Sequence, residues 1–378
     1  AELALTVMLL VGAGLMLRSL DRVMRENRGM DTSRVGTLEL TLGRGSRAER
    51  VAEMDGMLAA LRATPGISAA GIVNDLPLNG VGGIALQLNV PGAPPPAPGA
   101  RDYARYLMAS GDYFAALGIP LLGGRTFASS DDSLAPKVAV VGKRMAERYW
   151  PGRNPVGQTF TLIGDAPITV VGVVADVRER KLEERAGLQM YLSVYNEAPR
   201  SFALVARSTL APRELLARMT DAVHRVDRGQ AVYNVRMMDD VVGASVAPRR
   251  TNTVLIAAFA VLALLLAAIG VYAVVSYSAA QRRREMGIRS ALGATGSALV
   301  RLVAGEMVAV AAGGVAAGLV GAWMLSRVLA SLLYGVPVHD PLTFGVVPLA
   351  LLVPAAIATL VPARRAMRVN PAEVMRAD

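Results

Sequence analysis

The chain has 378 residues, 53% hydrophobic, 19% charged and only 5% aromatic, with 40 Lys and Arg against 30 Asp and Glu, a formal net charge of +10. A mean hydropathy of +0.40 is too apolar for an ordinary soluble protein, yet the charge content exceeds that of a bare helical bundle, so a mixed membrane and aqueous architecture is expected. The absence of cysteine excludes disulfides, thiolate metal sites and thiol nucleophiles, and the few aromatic residues argue against a nucleic-acid partner for the basic excess.

The first element is Leu3 to Leu17, uncharged and ending at Arg18-Ser-Leu-Asp-Arg22. It is slightly short for a span and lacks the basic start and cleavage site of a signal peptide. Residues 1–20 are therefore read as a transmembrane helix whose beginning lies outside this sequence.

Residues 21–250 read as a mixed α/β extracytoplasmic domain, with two lobes. Val35 to Leu42 alternates as a strand, Ser46 to Thr64 has helical spacing (Val51, Met54, Leu58, Leu61) stopped by Pro65-Gly66, and Ile67 to Val73 is extended, giving a β-α-β start. Further strands are predicted at Tyr103 to Ala109, Val138 to Val141, Thr159 to Ile163, Ile168 to Val174 and Phe202 to Arg207. A helix over Arg213 to Val226 precedes a last strand at Ala231 to Arg236.

Three more apolar segments follow: Thr251 to Ala280, Met307 to Ser326 and Pro341 to Ala363, none containing Asp, Glu, Lys or Arg. With the first helix they make four spans. The predicted organisation is span two at 251–280, a cytoplasmic loop at 281–297, span three at 298–326, an outer loop at 327–340, span four at 341–363 and a cytoplasmic tail at 364–378. Orientation comes from the short connections: Arg282, Arg283, Arg284 and Arg289 follow the second span, and Arg364, Arg365, Arg368 and Arg376 follow the fourth. The positive-inside tendency puts both clusters in the cytoplasm and the large domain outside.

Ile288, Ala291 and Leu292 fall at i, i+3 and i+4, so they share one helical face, while Glu285 and Arg289 form an i, i+4 pair. Gly287 leaves a notch and Gly293 suits a left-handed C-terminal cap. Periodicity leaves two readings open, a partner-docking helix or a turn resting on lipid headgroups. In the third span Gly314 and Gly318 form G-x-x-x-G, which permits close approach of another helix. Pro348 and Pro354 should kink the fourth span. Asn370-Pro-Ala-Glu373 has the pattern of a capping box, a second candidate for partner contact that is better suited to a helix on the inner leaflet. His224 and His339 have no second histidine nearby, so no metal site is assigned. No catalytic pattern and no G-x-x-x-x-G-K-[ST] phosphate loop is present, so no catalytic residue is assigned.

Glu285-Met-Gly-Ile-Arg-Ser-Ala-Leu-Gly-Ala294 resembles the E-x-G-I-R-x-A-L-G-A signature of FtsX-like permeases, the type that includes macrolide-exporter and lipoprotein-release ABC transporters. In the same order, Tyr113-Phe-Ala-Ala-Leu-Gly-Ile-Pro-Leu-Leu-Gly-Gly-Arg125, Tyr149-Trp-Pro-Gly-Arg-Asn-Pro-Val-Gly157 and Val170-Val-Gly-Val-Val-Ala-Asp-Val177 resemble the MacB-like periplasmic core, and residues 251–370 the permease domain. The match is nearest the second half of the duplicated permeases of acidobacterial type.

The resemblance implies a non-enzymatic membrane subunit in the bacterial inner membrane, with no cofactor of its own and with ATP bound by a separate ABC-type ATP-binding subunit. Glu285, Gly287, Ile288, Arg289, Ala291, Leu292 and Gly293 would couple to that subunit. The implied task is mechanotransmission for export or extraction of an amphipathic substrate. Further implied partners are a second permease half, fused or dimeric, a periplasmic adaptor and membrane lipid. The alternative is a signalling or scaffold subunit that regulates a cell-wall hydrolase or senses an envelope ligand.

Overall fold

The computed structural model describes residues 2–80, 83–93, 103–132, 134–162, 166–281 and 296–351. The chain divides into two compact units, Glu26–Ala247 on one hand and Ala1–Arg25 with Pro248–Asp378 on the other.

Within the first unit the elements run β1 (Val35–Thr41), α2 (Arg47–Arg62), β2 (Ile67–Val73), β3 (Ala85–Asn89), β4 (Tyr103–Ala109), α3 (Tyr113–Ala116), β5 (Leu121–Gly124) and β6 (Val138–Gly142). They continue with α4 (Lys143–Tyr149), β7 (Thr159–Leu162), β8 (Ile168–Val174), β9 (Leu188–Ser193), α5 (Val194–Glu197), β10 (Ser201–Ser208), α6 (Pro212–Val226) and β11 (Val232–Met237). Helix α1 (Glu2–Met24) precedes them, and α7 (Met238–Gln281) and α8 (Gly296–Val328) follow.

Strands β11, β1, β10 and β2 form an antiparallel sheet in that order. The β-α-β start predicted from sequence is therefore split: β10 lies between β1 and β2, which run parallel to each other without touching. Helices α2 and α6 cover one face, where Leu38, Leu40, Met54, Leu58, Leu61, Ile72, Leu204, Leu215 and Met219 form a core. Helix α2 starts where it does because Ser46 caps it. Its hydroxyl accepts from Glu49 N at 3.2 Å while the Glu49 carboxylate accepts from Ser46 N at 2.7 Å, a capping box.

The other strands close into a ring, β4-β3-β7-β8-β6-β9 and back to β4, with β5 paired to the end of β8. The ring is filled by Ala104, Val141, Met145, Trp150, Phe160, Ile168, Val170 and Met190. Closure leaves few free strand edges. Strand β4 belongs to both sheet and ring, through Val73 opposite Ala109. Below the sheet, Tyr113, Phe114, Tyr191 and Val205 make a third cluster. That packing requires glycine at position 71, since a Cβ there would lie 2.4 Å from Tyr113 Cα.

Three strands escaped the sequence reading. In β9 the polar Gln189 interrupts the apolar run, yet it is fully buried because both ends of its amide bond the Val177 backbone, at 2.6 and 3.0 Å. In β5 two glycines remove the strand signal, and β3 has only half-buried alternation.

In the membrane unit, α1, α7 and α8 are long and apolar enough to cross a bilayer, and the shorter helix α9 (Pro341–Leu351) is also apolar. The fourth expected span, 341–363, is thus described only to Leu351. Helix α7 begins 13 residues before the apolar run that defined span two, passing through Pro248. Met238 and Val241 extend it, because they share a face and are buried in the core beneath the sheet. Outward-facing Phe259, Leu262, Leu266 and Ile269 on α7 are each more than half exposed, a surface that hydrocarbon rather than water would cover.

Candidate functional site

The coupling residues expected from sequence, Glu285, Gly287, Ile288, Arg289, Ala291, Leu292 and Gly293, lie outside the described residues. So does the Asn370-Pro371 tail. What the structure does give is the frame on either side of that loop.

Helix α8 meets α1 along its glycines. A Cβ at Gly318 would lie 2.6 Å from Val7 Cβ and 2.8 Å from the Ala4 carbonyl oxygen, and one at Gly314 would lie 3.0 Å from Leu3 Cβ. The backbones thus approach more closely than any larger residue allows. Val7, Val11 and Leu15 of α1 form the core of this unit with Ala322, Val336 and Val347.

At the end of α1 that leads out of the bundle, polar groups gather. The Ser19 hydroxyl accepts from Arg249 Nη1 at 3.0 Å and from Tyr334 N at 2.8 Å. Arg18 pairs with Asp340, whose carboxylate also accepts from Thr343 N at 2.8 Å and Thr343 Oγ1 at 2.6 Å, capping α9. One node therefore ties the end of α1, the start of the α7 span and the connection between α8 and α9.

A second polar cluster is buried in the Glu26–Ala247 unit. The Arg105 guanidinium on β4 pairs with Asp75, which follows β2, and lies 2.7 Å from Glu179 Oε2. That second contact is an ion pair poorly aligned for a hydrogen bond. Asn79 donates to Asp75 at 2.7 Å, and Gln189 donates to Glu179 at 3.0 Å. Two carboxyl groups thus share one cation away from water. Burial pushes Glu179 up to about 7, only partly opposed by Arg105, and burial likewise raises Asp75.

The consequence for stability has a definite sign. The folded protein holds a proton on Glu179 that the unfolded chain releases near 4.5. This contribution is fully present below that pH and lost as pH rises through about 7. From the size of the shift it amounts to roughly 3 kcal/mol. Glu179→Gln is expected to flatten the fall in unfolding free energy of this unit between pH 5 and 8, measured by denaturant titration at each pH. An equally steep fall in the variant would show that another group is responsible.

The chain matches the model of the MacB-like periplasmic core domain over residues 3–225 and that of the FtsX-like permease C-terminal domain over residues 257–371. It belongs to the MacB-type, FtsX-like permease family.

Among curated relatives, it is 24% identical over 268 residues to the pyoverdine export ATP-binding/permease protein PvdT of Pseudomonas putida, covering 68% of this chain and 41% of that protein. It is 27% identical over 274 residues to the macrolide export ATP-binding/permease protein MacB of Chromobacterium violaceum, covering 70% and 42%. The chain thus spans less than half the length of the curated relatives it matches. The crystal structure of the periplasmic region of MacB from Actinobacillus actinomycetemcomitans aligns with a TM-score of 0.40 at 15% identity, over 59% of this chain and 97% of that one.

For a permease of the MacB type, sequence reasoning missed both polar clusters. Arg18 and Asp340 are 322 positions apart and nothing local pairs them. Arg105 sits within a strand whose neighbours are apolar, and Glu179 in a run of charges that resembles a solvated loop. His224, to which no metal role was assigned, places Nε2 3.2 Å from the Gln230 carbonyl oxygen. A groove of about 810 Å³ beside α4 and β5 of the MacB-like core is lined by Leu122, Trp150, Val156 and Val173 with Lys143 and Arg153.

Proposed function

We propose that this chain is the permease component of an inner-membrane ABC transporter, driven by a separate ATP-binding subunit that docks on residues 285–293. The domain of 21–250 lies outside the cytoplasm and moves in response, so that an amphipathic substrate is exported or extracted. Catalysis of ATP hydrolysis belongs to the partner, since this sequence has no phosphate loop with its lysine. ATP is accordingly bound there and not here. A fourth span over 341–363, a fused or dimeric second half and a periplasmic adaptor complete the assembly.

The observation that carries this reading is the length and placement of α7. From Pro248, next to the Ser19–Arg249 node, to Gln281 the helix covers 34 residues, about 50 Å at about 1.5 Å per residue, against roughly 30 Å of hydrocarbon. Residues 285–293 follow Gln281 closely in the sequence, and a helix of that length supports a reading in which this loop meets the cytoplasmic side. An arginine-flanked apolar face at that position suits a protein groove better than headgroups alone. Relatives named as ATP-binding/permease proteins support the association of this permease with an ATP-binding component.

Ile288→Asp in the complex reconstituted with its ATP-binding subunit is expected to reduce substrate-stimulated ATPase activity at least about tenfold. A charge on a contact face, with its desolvation, costs more than the 1.4 kcal/mol that corresponds to that factor. Unchanged stimulation would count against the docking role of this loop.

A further inference from the structure

Helix α8 ends at an exposed cluster that neither coupling nor helix packing uses. The Arg327 guanidinium carbon lies 4.1 Å from the centroid of the Trp323 ring, one turn earlier on the helix. The His339 ring stacks on the same indole at 5.0 Å with an interplanar angle of 13°. Met324 and Val328 beside them are 61% and 72% exposed, so this face of α8 is turned toward whatever surrounds the bundle.

Arg327 makes no ion pair among the described residues. The nearest acidic residue in sequence, Asp340, is buried and already committed to Arg18 and Thr343. Among the described residues, therefore, nothing neutralises the positive charge on the cluster. Its position limits what can do so, because it sits at the end of an apolar helix, beside the Asp340 cap of α9 that Arg18 of α1 pairs with, where a bilayer changes from hydrocarbon to headgroup. Two N–H-bearing groups held on one indole suit a phosphodiester, and the exposed aliphatic side chains beneath suit its acyl chains.

We propose that Arg327, Trp323 and His339 form a binding site for an anionic phospholipid, with Arg327 and His339 donating to the headgroup phosphate and Trp323 as the platform. Asp340 fixes the backbone beside His339 through its cap on α9, and the arginine is oriented by the ring it covers. A zwitterionic lipid carries its own cation next to the phosphate and gains less from Arg327, so the site discriminates by net charge. The inference rests on the membrane embedding proposed above and on nothing about transport.

The chain has two tryptophans, and Trp150 lies 4% exposed in the core of the ring. In a Trp150→Phe background, the full chain is reconstituted in bilayers that mix unlabelled phosphatidylcholine with lipids brominated in the acyl chain, and quenching of Trp323 fluorescence is read. Brominated phosphatidylglycerol is expected to show a relative binding constant at least threefold above that of brominated phosphatidylcholine, falling to about one in Arg327→Gln and to an intermediate value in His339→Ala. Soluble glycerol phosphate at millimolar concentration should not restore fluorescence. Equal quenching by the two lipids would overturn the headgroup site while leaving the membrane embedding intact. Quenching by neither would overturn both. Relief by glycerol phosphate would overturn the lipid in favour of a free-phosphate site.

Discussion

Replacing Arg105 by methionine is expected to destabilise the Glu26–Ala247 unit by about 3–5 kcal/mol at pH 8, an amount comparable to much of a domain's net stability. Among the described residues the guanidinium is the one cation facing Asp75 and Glu179, and both carboxyl groups are buried. Without it, each must either ionise unpaired or take up a proton. The cost should therefore shrink toward pH 4.5, where protonation of both groups becomes cheap. Adding Asp75→Asn and Glu179→Gln to Arg105→Met should restore most of the loss at pH 8, because removing every charge is far less costly than stranding two. Equilibrium denaturation at pH 4.5 and 8 on the single and triple variants checks this. A pH-independent loss would mean that Arg105 acts through the packing of its aliphatic stem.

Gly318→Ala is expected to cost about 1–3 kcal/mol or more, whereas Gly321→Ala on the same helix should fall within about 0.5 kcal/mol. The two differ only in what the added methyl meets. At position 318 it meets Val7 Cβ at 2.6 Å and the carbonyl oxygen of Ala4 at 2.8 Å, so the helices must separate. At position 321 the nearest atom is Met8 Sδ at 2.7 Å, the far end of a flexible side chain that can turn aside. Thermal unfolding of both variants in one detergent discriminates them. Equal losses would show that helix propensity or lipid exposure, not the approach of α1 to α8, governs this face.

The same contrast explains what could be read before any coordinates. Most strands with alternating or continuous apolar residues, such as Ile67–Val73, Tyr103–Ala109 and Ile168–Val174, were legible with correct bounds, because a period of two is a local property. The strand at Leu188–Ser193 was not, since Gln189 breaks its pattern and only the Val177 backbone makes its burial tolerable. The start of α7 was placed late for a related reason: Met238 and Val241 read as the end of a soluble domain until the core they enter is known.

Local order along the chain was enough to determine the helices long and apolar enough to cross a membrane, the inserted α/β domain and the family to which these belong, because apolar run length and short motifs are written in consecutive residues. Only the tertiary structure decided that β10 separates β1 from β2, that six strands close on themselves, that Arg18 finds Asp340 and that Arg105 is shared by two buried carboxyl groups. Those pairings join residues from about 30 to 322 positions apart. Whether a charge is solvated or buried depends on which segments the fold brings around it, and no spacing along the chain carries that information.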